Sequence, residues 1–425
     1  MQKISHQFQH QTEFNASTFK LSNGLTVIHQ YLPAATVVVS DIWVKAGAIA
    51  EPETWSGMAH FLEHMIFKGS PNVMVGEFDW LIENTGGVAN AATSYDYAHF
   101  YLTTAASHFD QTLPCLADIL LRATIPDDEF IREREVVIEE ILSSYDDPDY
   151  LGYQALCQNA YQHHPYRRSI LGEQELLLEH TPNQMRCFHR THYQPENMTI
   201  IVVGGIEQSQ ALSLVHENFS DFCVRSECPP IQIENEPPVT SIRRQELHLP
   251  RIEQSRLLMA WICPGSADLE SAIALDLIAL ILTGGRSSGL TRELREERQL
   301  VMDIDCSLSL QKDSSLFSIG ALLDIEHLAM VESMIGDRLN QLHHQLIPAQ
   351  EINNAKRQLI NDYIFSTETP SQLASVYGFY NIVATAAHSA MYPQIIESLQ
   401  PEQLQAIARK YLSPEHYAVT ILKPA

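Results

Sequence analysis

The sequence lacks three features: a long apolar run, an excess of basic residues, and closely spaced cysteine pairs. No stretch of about 18 consecutive apolar residues occurs, and the best candidate, 272–282, is short and contains Asp276. We therefore expect no membrane-spanning helix. Lysine and arginine total 27 against 52 aspartates and glutamates, which gives a formal net charge of −25. This balance argues against nucleic acid and against an anionic membrane surface as partners.

The seven cysteines are odd in number, scattered and free of C-x-x-C pairs. This usage is typical of reduced structural thiols in a cytosolic protein. The first residues, MQKISHQFQHQTEF, contain no apolar segment of the kind found in signal peptides. We therefore expect a cytoplasmic location. The 425 residues, of which 45% are hydrophobic, allow two or three globular domains.

The most informative stretch of the sequence is a predicted helix over residues 56–68, SGMAHFLEHMIFK. His60 and His64 are four residues apart, so their imidazoles project from one face and suit a single zinc ion. Glu63 lies beside them and is placed to act as general base toward a zinc-bound water. The order H-x-x-E-H is the inverzincin motif. The alternative is a core helix whose histidines bond to backbone, which fits a lone histidine better than the full pattern.

Signals for both ends of this helix are present in the sequence. Ser56 is suited to cap the N-terminus, and Gly69 can adopt the left-handed conformation that often follows a helix C-terminus. Lys68 suits the negative end of the helix dipole. Apolar residues cover much of the circumference between these ends, so we expect the helix to be buried.

A zinc site with two histidines needs a further protein ligand. The nearest source is a predicted helix that begins at Pro126 and is rich in acids. Glu133 and Glu140 are seven residues apart and share a face, while Glu135 and Glu139 are rivals. Spacing alone leaves these four open, and a run of acids is often a solvated face. The valines and isoleucines of the same helix place it against a core, so some of its glutamates must point inward.

The second half of the chain repeats the first in register. Residues 181–202 and 400–421 share five identities at an offset of 219: Pro182, Gln184, Arg190, Pro195 and Glu196 match Pro401, Gln403, Arg409, Pro414 and Glu415. The segments WVKAG and WICPG, which begin at Trp43 and Trp261, match at an offset of 218. Two blocks at nearly one offset favour a duplicated α+β unit.

Composition divides the two copies. Residues 221–240 contain two Pro-Pro pairs and little periodicity, which predicts a linker. We therefore predict a zinc-bearing domain over 1–220 and a homologous domain over 241–425. The second copy has no H-x-x-E-H, since its corresponding segment near Ala279 lies in an apolar helix. The metal chemistry is predicted to belong to the first half alone.

Three motifs carry a family resemblance: HFLEHMIFKG from His60, NAATS from Asn90, and EREVVIEEI from Glu133. In this order and spacing they resemble the pitrilysin and insulin-degrading enzyme family of zinc peptidases. Within it the chain is most similar to the short-chain branch, which contains mitochondrial processing peptidase and bacterial two-domain peptidases. The resemblance runs from about Phe19 to the C-terminus and includes HPYRRSILG at 164–172.

The resemblance implies an α+β fold of two homologous domains, each an antiparallel sheet with helices packed on one face. It also implies one Zn²⁺ per chain and a strand at the sheet edge that holds peptide through its backbone. The site residues carried over are His60, His64 and Glu140 as zinc ligands, Glu63 as general base, Glu133 as an acid that supports a ligand histidine, and Asn90 and Ala91 on the substrate strand.

One departure from the family pattern concerns the oxyanion. In the family, the second half of the full catalytic unit supplies an arginine and a tyrosine seven residues apart. Arg295 fits the arginine position, but the tyrosine position falls on Met302, which has no hydroxyl to donate. We therefore expect a heterodimer with a homologous partner that supplies the Arg/Tyr pair, with a homodimer as the other possibility.

The sequence thus predicts a zinc metalloendopeptidase that hydrolyses unfolded peptides in a closed chamber through a zinc-bound water activated by Glu63. The alternative is a non-catalytic structural or assembly subunit of a peptidase-like complex, which predicts broken ligands, whereas all candidate positions are intact. A zinc ion that only holds the fold is a weaker alternative because Glu63 would then have no task.

Overall fold

The structure, a computed structural model, describes residues 14–231, 233–234 and 236–425. Its first half contains a six-stranded sheet in the spatial order β1-β2-β6-β3-β5-β4. The strands are β1 (Ser17–Lys20), β2 (Thr26–Tyr31), β3 (Val37–Val44), β4 (Val88–Thr93), β5 (Ala98–Ala105) and β6 (Met198–Gly204). The helices are α1 (Met58–Ile66), α2 (Glu77–Asn84), α3 (Phe109–Leu121), α4 (Asp127–Ser144), α5 (Pro148–Ala160), α6 (Gln174–Glu179), α7 (Pro182–His192) and α8 (Gln208–Asn218).

The second half contains a five-stranded sheet in the order β7-β11-β8-β10-β9. Its strands are β7 (Arg243–Leu249), β8 (Ser255–Pro264), β9 (Asp303–Ser309), β10 (Ser314–Leu323) and β11 (Ala418–Pro424). Its helices are α9 (Leu269–Thr283), α10 (Leu328–His344), α11 (Ala349–Phe365), α12 (Pro370–Val383), α13 (His388–Ser398) and α14 (Pro401–Tyr411), together with a π-helical segment at Thr291–Glu297.

The sequence predicts a hairpin over 18–31 with a turn at Asn23-Gly24, and a strand pair over 88–105, and both are present. β1 and β2 form the antiparallel hairpin across this turn, and Lys20 pairs with Thr26. β4 and β5 form the second antiparallel pair, and β4 lies at the edge of the first sheet. The Asn-Gly turn was therefore sufficient to locate the first pair, and the alternation of strand residues over 88–105 was sufficient to locate the second.

The two sheets share one topology and one register, apart from the additional β1. Trp43 on β3 pairs with His99 on β5, and Trp261 on β8 pairs with Phe317 on β10. Each residue of the second pair follows its counterpart by 218 positions, the offset that the tryptophan motifs have in the sequence. The predicted fold class, α+β with two similar halves, is confirmed.

The sheets differ from the expectation in two details. Each contains one parallel pair, β2 with β6 and β7 with β11, among otherwise antiparallel strands. Each sheet is also covered by a helix of the opposite half. α5 packs on β8 and β11, while α12 packs on β3 and β6. Helices on one face alone are therefore an incomplete description, because the other face of each sheet is apolar and is buried by this exchange.

The contact of α12 with the first sheet is close. Val39, Trp43 and Ile201 of the sheet form one buried cluster with Ala374 and Tyr377 of α12, among other residues. Gly378 permits this approach, since a Cβ at that position would lie 2.0 Å from Trp43 Nε1. The two halves pack against each other through these exchanged helices. The domain boundaries stay a prediction.

The described part of residues 221–240 contains no helix or strand, and its role as a linker stays a prediction. None of the seven cysteines forms a disulfide. Across the described residues, every helix is too short or too polar to cross a bilayer. The cytoplasmic location stays a prediction.

Candidate metal centre and active site

Helix α1 carries the H-x-x-E-H motif and is largely buried. Phe61, Leu62 and Met65 are fully enclosed in the core of the first half. Because these residues fix the rotation of the helix, His60 and His64 are held on the side that meets α4. Gly69 has a φ of +91°, so the predicted left-handed residue after the helix is confirmed. Lys68, predicted to complement the helix dipole, forms an ion pair with Glu133 on α4.

The predicted N-cap at Ser56 is wrong. The helix begins at Met58. The residue before it is Gly57, which has a φ of +87° and no side chain that could cap the helix. The carboxylate of Glu51 accepts hydrogen bonds from Gly57 N at 3.0 Å and Ala59 N at 2.7 Å. Glu51 therefore satisfies backbone donors at the start of the helix from six and eight residues upstream.

Glu51 is completely buried and is a residue that sequence reasoning missed. Arg168 lies close by, and its guanidinium donates to the backbone oxygens of Ala48 and Glu51 at 2.9 and 3.2 Å. Burial raises the pKa of Glu51 to about 8, against the opposing effects of the two backbone hydrogen bonds and Arg168. The HPYRRSILG motif, which supplies Arg168, thus braces the segment that holds the metal helix. The one available signal in the sequence was the presence of an acid shortly before the helix.

His60, His64 and Glu140 come together between α1 and α4. Their ligand atoms all lie within 4.8 Å of one another, and they are the only such group of three found among the described residues. Glu140 Oε2 is 3.6 Å from His60 Nε2 and 3.4 Å from His64 Nε2. Ligands at about 2.0–2.1 Å from a tetrahedral zinc are roughly 3.4 Å apart, so the spacing fits this metal.

The protonation state of His60 agrees with a metal site. Burial and the neighbouring His64 lower the pKa of His60, which keeps it neutral as a ligand must be. Its Nδ1 is buried without a hydrogen-bond partner among the described residues. Burial also acts to lower the pKa of His64, but hydrogen bonds with Glu140 and Glu133 outweigh it and raise that pKa. The hydrogen bond with His64 lowers the pKa of Glu140.

Glu133 lies behind His64 rather than in the triad. Its Oε1 is 3.0 Å from His64 Nδ1, and its Oε2 is 2.6 Å from Lys68 Nζ. Burial would raise the pKa of Glu133, but Lys68 and His64 more than offset it, so the carboxylate is held ionised. This contact fixes the ring of His64 with its Nε2 toward Glu140. The rivals Glu135 and Glu139 are exposed and lie outside the triad.

Glu63 faces the edge strand of the first sheet. Thr93 Oγ1, at the end of β4, donates to Glu63 Oε2 at 2.6 Å. Burial raises the pKa of Glu63, while the bond from Thr93 opposes this change. A carboxylate with one oxygen held and a raised pKa is suited to general base chemistry near neutral pH.

The backbone of β4 is unpaired on one side within the described sheet. Ser94 N donates to Tyr97 O at 2.7 Å, so alternation along the antiparallel pair directs the backbone groups of Ala91 and Thr93 away from β5. Asn90 Oδ1 accepts a hydrogen bond from Ala91 N at 2.9 Å. The predicted substrate strand is therefore an edge with outward donors and acceptors beside Glu63.

Arg295 lies in the π-helical segment of the second half. Its guanidinium is 3.1 Å from the carboxylates of both Glu296 and Asp303. Across the described residues, Arg295 forms no hydrogen bond with the His60, His64 and Glu140 triad. Met302 is 49% exposed. The structure pairs Arg295 with acids of its own half, and its predicted role toward the substrate stays a prediction.

Comparison with known proteins agrees with this geometry. The model described as "Insulinase (Peptidase family M16)" matches residues 26–174, and the model described as "Peptidase M16 inactive domain" matches residues 180–359. The first match contains the triad and Glu63. The second match covers most of the half that lacks the motif.

The chain is 27% identical over 409 residues to the zinc protease PqqE of Helicobacter pylori, covering 95% of this chain and 92% of that protein. A crystal structure of a protease from Helicobacter pylori superposes with a TM-score of 0.90 at 27% identity, covering 96% of this chain and 99% of that one. The periplasmic protease PqqL of Escherichia coli has the same fold, with a TM-score of 0.80 at 17% identity. The match covers 97% of this chain and 48% of PqqL. With both halves matched by models of one family and the zinc-ligand motif complete, the chain belongs to peptidase family M16, the insulinase and pitrilysin-like peptidases.

Proposed function

We propose that this protein is a zinc metalloendopeptidase that hydrolyses unfolded peptides, and that it works in the cytoplasm. The observation that carries the proposal is the His60, His64 and Glu140 triad with Glu63 beside an unpaired sheet edge. The names of relatives such as zinc protease PqqE support it. A triad alone would suit a structural metal, but a half-buried glutamate held next to it without ligating gives the site a base.

In this proposal His60, His64 and Glu140 hold one zinc ion per chain. When bound, zinc supplies a Lewis acid that polarises a carbonyl and makes water more acidic. Glu133 keeps the proton of His64 on Nδ1, so that Nε2 has a lone pair for the metal. The charge of Lys68 holds Glu133 in its ionised form for this role.

Glu63 moves the proton during hydrolysis. Because Thr93 occupies Oε2, Oε1 is the atom free to accept a proton from water as the water attacks the peptide carbonyl. The same oxygen then returns the proton to the leaving amine. The hydrogen bond from Thr93 prevents the carboxylate from rotating away from the substrate strand.

β4 positions the peptide. An extended peptide adds to the sheet edge through the outward backbone groups of Ala91 and Thr93, which gives affinity with little demand on side chains. Asn90 Oδ1 satisfies Ala91 N before a peptide arrives, so this edge carries no unpaired donor at that position. Only an unfolded segment can pair along a strand in this way.

The oxyanion donor comes from a second chain. Met302 occupies the position where the family has tyrosine, and Arg295 is paired with acids in its own half. PqqL, of which this fold spans 48%, has room in one chain for a second unit of the same size. We therefore infer a heterodimer in which a homologous partner supplies the Arg/Tyr pair, with a homodimer as the other arrangement.

The substitution Glu63→Gln tests the proposed chemistry. We expect peptide hydrolysis by the complex to fall by at least about a thousandfold because the base is lost, with zinc content unchanged. Activity is measured on an unstructured fluorogenic peptide, and zinc by mass spectrometry of the purified protein. The matched control is Glu135→Gln, an exposed acid on α4, which should leave both quantities unchanged.

The alternative of a non-catalytic assembly subunit is favoured by the Met302 departure alone. It predicts no hydrolysis by the wild-type chain with any homologous partner, and therefore no effect of Glu63→Gln. Unchanged activity in the Glu63→Gln protein would disprove the role of Glu63. Loss of zinc from that variant would instead make Glu63 a ligand.

A further inference from the structure

The second half contains a cavity of about 550 Å³ that the proposed peptidase chemistry does not use. It lies between α9, α11, α12 and α13, and the end of β9 closes one side. Its polar and aromatic lining includes Asp276, Asp362, Tyr363, Phe379, Tyr380 and Tyr392. Acids and aromatic rings without a basic residue are an unusual lining for so large a space.

Asp276 is the central polar group of this cavity. It interrupts α9, the most apolar helix of the chain, between residues such as Leu275 and Leu277 that are completely buried. Tyr392 Oη donates to Asp276 Oδ2 at 2.5 Å. Within the described part of the chain, no lysine, arginine or histidine forms an ion pair with Asp276. An ionised carboxylate in such surroundings is costly unless a cation accompanies it, and burial accordingly raises the pKa of Asp276.

Aromatic rings surround the same space from three helices. The rings of Tyr363 and Tyr392 have centroids 5.6 Å apart and are tilted by 33°. Those of Phe379 and Tyr380 are 5.9 Å apart and perpendicular. Ring faces carry negative quadrupole potential, and several rings around one carboxylate attract a weakly hydrated organic cation.

We propose that this cavity binds an organic ammonium ion, which pairs with Asp276 and packs against the tyrosine rings. Asp276 and Asp362 together exclude an anion. A divalent metal requires more oxygen, nitrogen or sulfur ligands than these two carboxylates with their apolar and aromatic neighbours offer. A neutral apolar ligand would leave Asp276 without a counter-ion. Burial raises the pKa of Asp276, and a cation bound beside it would oppose this effect by favouring the ionised form.

The place of the cavity in the duplicated fold supports a ligand. α9 and α11 are the second-half counterparts of α1 and α4, the helices that carry the metal triad in the first half. The duplicated framework thus presents polar groups between the same two helices in both halves. The proposal does not depend on the peptidase function, because none of the cavity residues belongs to the metal site.

The test uses the full chain and choline as the probe in isothermal titration calorimetry. The matched neutral probe is 3,3-dimethylbutan-1-ol, which has the shape of choline with carbon in place of the charged nitrogen. We expect saturable binding of choline and at least about tenfold weaker binding of the alcohol. Absence of choline binding, or equal affinity for the alcohol, would overturn the proposal without any variant having to fold.

Two substitutions locate the binding. Asp276→Asn keeps the shape and still accepts the hydrogen bond from Tyr392, so the fold is retained, while the choline Kd should rise by at least about tenfold. Asp337→Asn, an exposed acid on α10, is the control and should change nothing. An unchanged choline Kd in the Asp276→Asn protein would place the binding elsewhere and refute this site.

Discussion

The two halves place helices α1 and α9 at the same point of one topology and give them opposite characters. In α1, two histidines face Glu140 of α4, and a glutamate contacts Thr93 of β4. α9 has ten buried residues, of which nine are apolar, and its one acid within the buried span, Asp276, faces an aromatic cavity. The sheets and their register hardly differ. A duplicated framework therefore leaves the chemistry to a few side chains on one helix and its neighbours.

The starts of the two helices differ as well. α9 begins with an ordinary cap, in which Asp268 Oδ1 accepts from Ser271 N at 3.2 Å. α1 begins after a left-handed Gly57 and depends on the remote carboxylate of Glu51. The apolar helix is thus stable through local signals and burial, whereas the metal helix is held in place by tertiary contacts.

Substitution of Glu140, the zinc-ligand candidate that only the first half supplies, should have the largest effect on the difference between the halves. We expect Glu140→Gln to weaken zinc binding by at least about a hundredfold, because one of three protein ligands loses its charge. Competition with a fluorescent zinc chelator measures this change. Glu139→Gln, one residue earlier on α4 and outside the triad, is the control and should bind zinc normally. Equal loss in both variants would mean that the triad is assigned wrongly.

The support behind the ligand histidine gives the next largest effect. Glu133→Gln keeps an acceptor for His64 Nδ1 but loses the ion pair with Lys68. We expect zinc affinity to fall by about tenfold to a hundredfold, measured by the same chelator competition. Wild-type affinity in this variant would show that Glu133 serves stability alone.

A substitution at Met302 tests the role of the hydroxyl that the second half lacks. Met302→Tyr places a hydroxyl at the position where the family has one, seven residues from Arg295. In a homodimer each copy would offer this hydroxyl to the metal site of the other, so we expect kcat for peptide hydrolysis by the purified chain to rise by about tenfold. Met302→Phe is the matched control, since it adds the ring without the donor. The same rise in both variants would exclude an oxyanion role for the hydroxyl.

Glu51 tests whether the metal helix depends on its remote cap. Glu51→Gln should reduce the free energy of unfolding by about 1 kcal/mol, because an amide accepts only one of the two backbone hydrogen bonds. Urea unfolding measures this loss, and the exposed Glu53→Gln is the control. Unfolding free energies equal to wild type would remove Glu51 from the description of the helix start.

The same variant has a predicted pH dependence. The pKa of Glu51 is about 8 in the folded protein and near 4.5 when unfolded, so the folded state binds the extra proton between these values. The contribution of Glu51 to the free energy of unfolding of the wild type is therefore fully present below pH 4.5 and declines as the pH rises toward 8. Glutamine does not titrate, so the stability difference between wild type and Glu51→Gln should narrow from pH 5 to pH 8.

Much of this architecture could be predicted from the sequence because its signals are local. Alternation located β4 and β5, and the H-x-x-E-H spacing located His60 and His64. The choice of Glu140 over Glu139 needed the family resemblance, since spacing along a helix does not reveal what faces it. That choice stays a proposal about function, although the geometry brings Glu140 to both histidines.

What the sequence could not predict consists of contacts between distant segments. Nothing near Glu51 in the sequence indicates Arg168, and nothing in α12 indicates Trp43 as a neighbour. The wrong cap at Ser56 has the same cause. Local propensity favoured a serine, but a buried carboxylate from upstream made a left-handed glycine the better start.

The exchanged helices α5 and α12 have a consequence for how the chain is synthesised. The first sheet is complete once residue 204 has left the ribosome, yet the helix that closes its second face ends at Val383. Residues 205–383, about two-fifths of the chain, must therefore be made before the first sheet can bury Trp43. In the interval an apolar sheet face is open to water and to other nascent chains, so the newly made first half is the stage most in need of a chaperone.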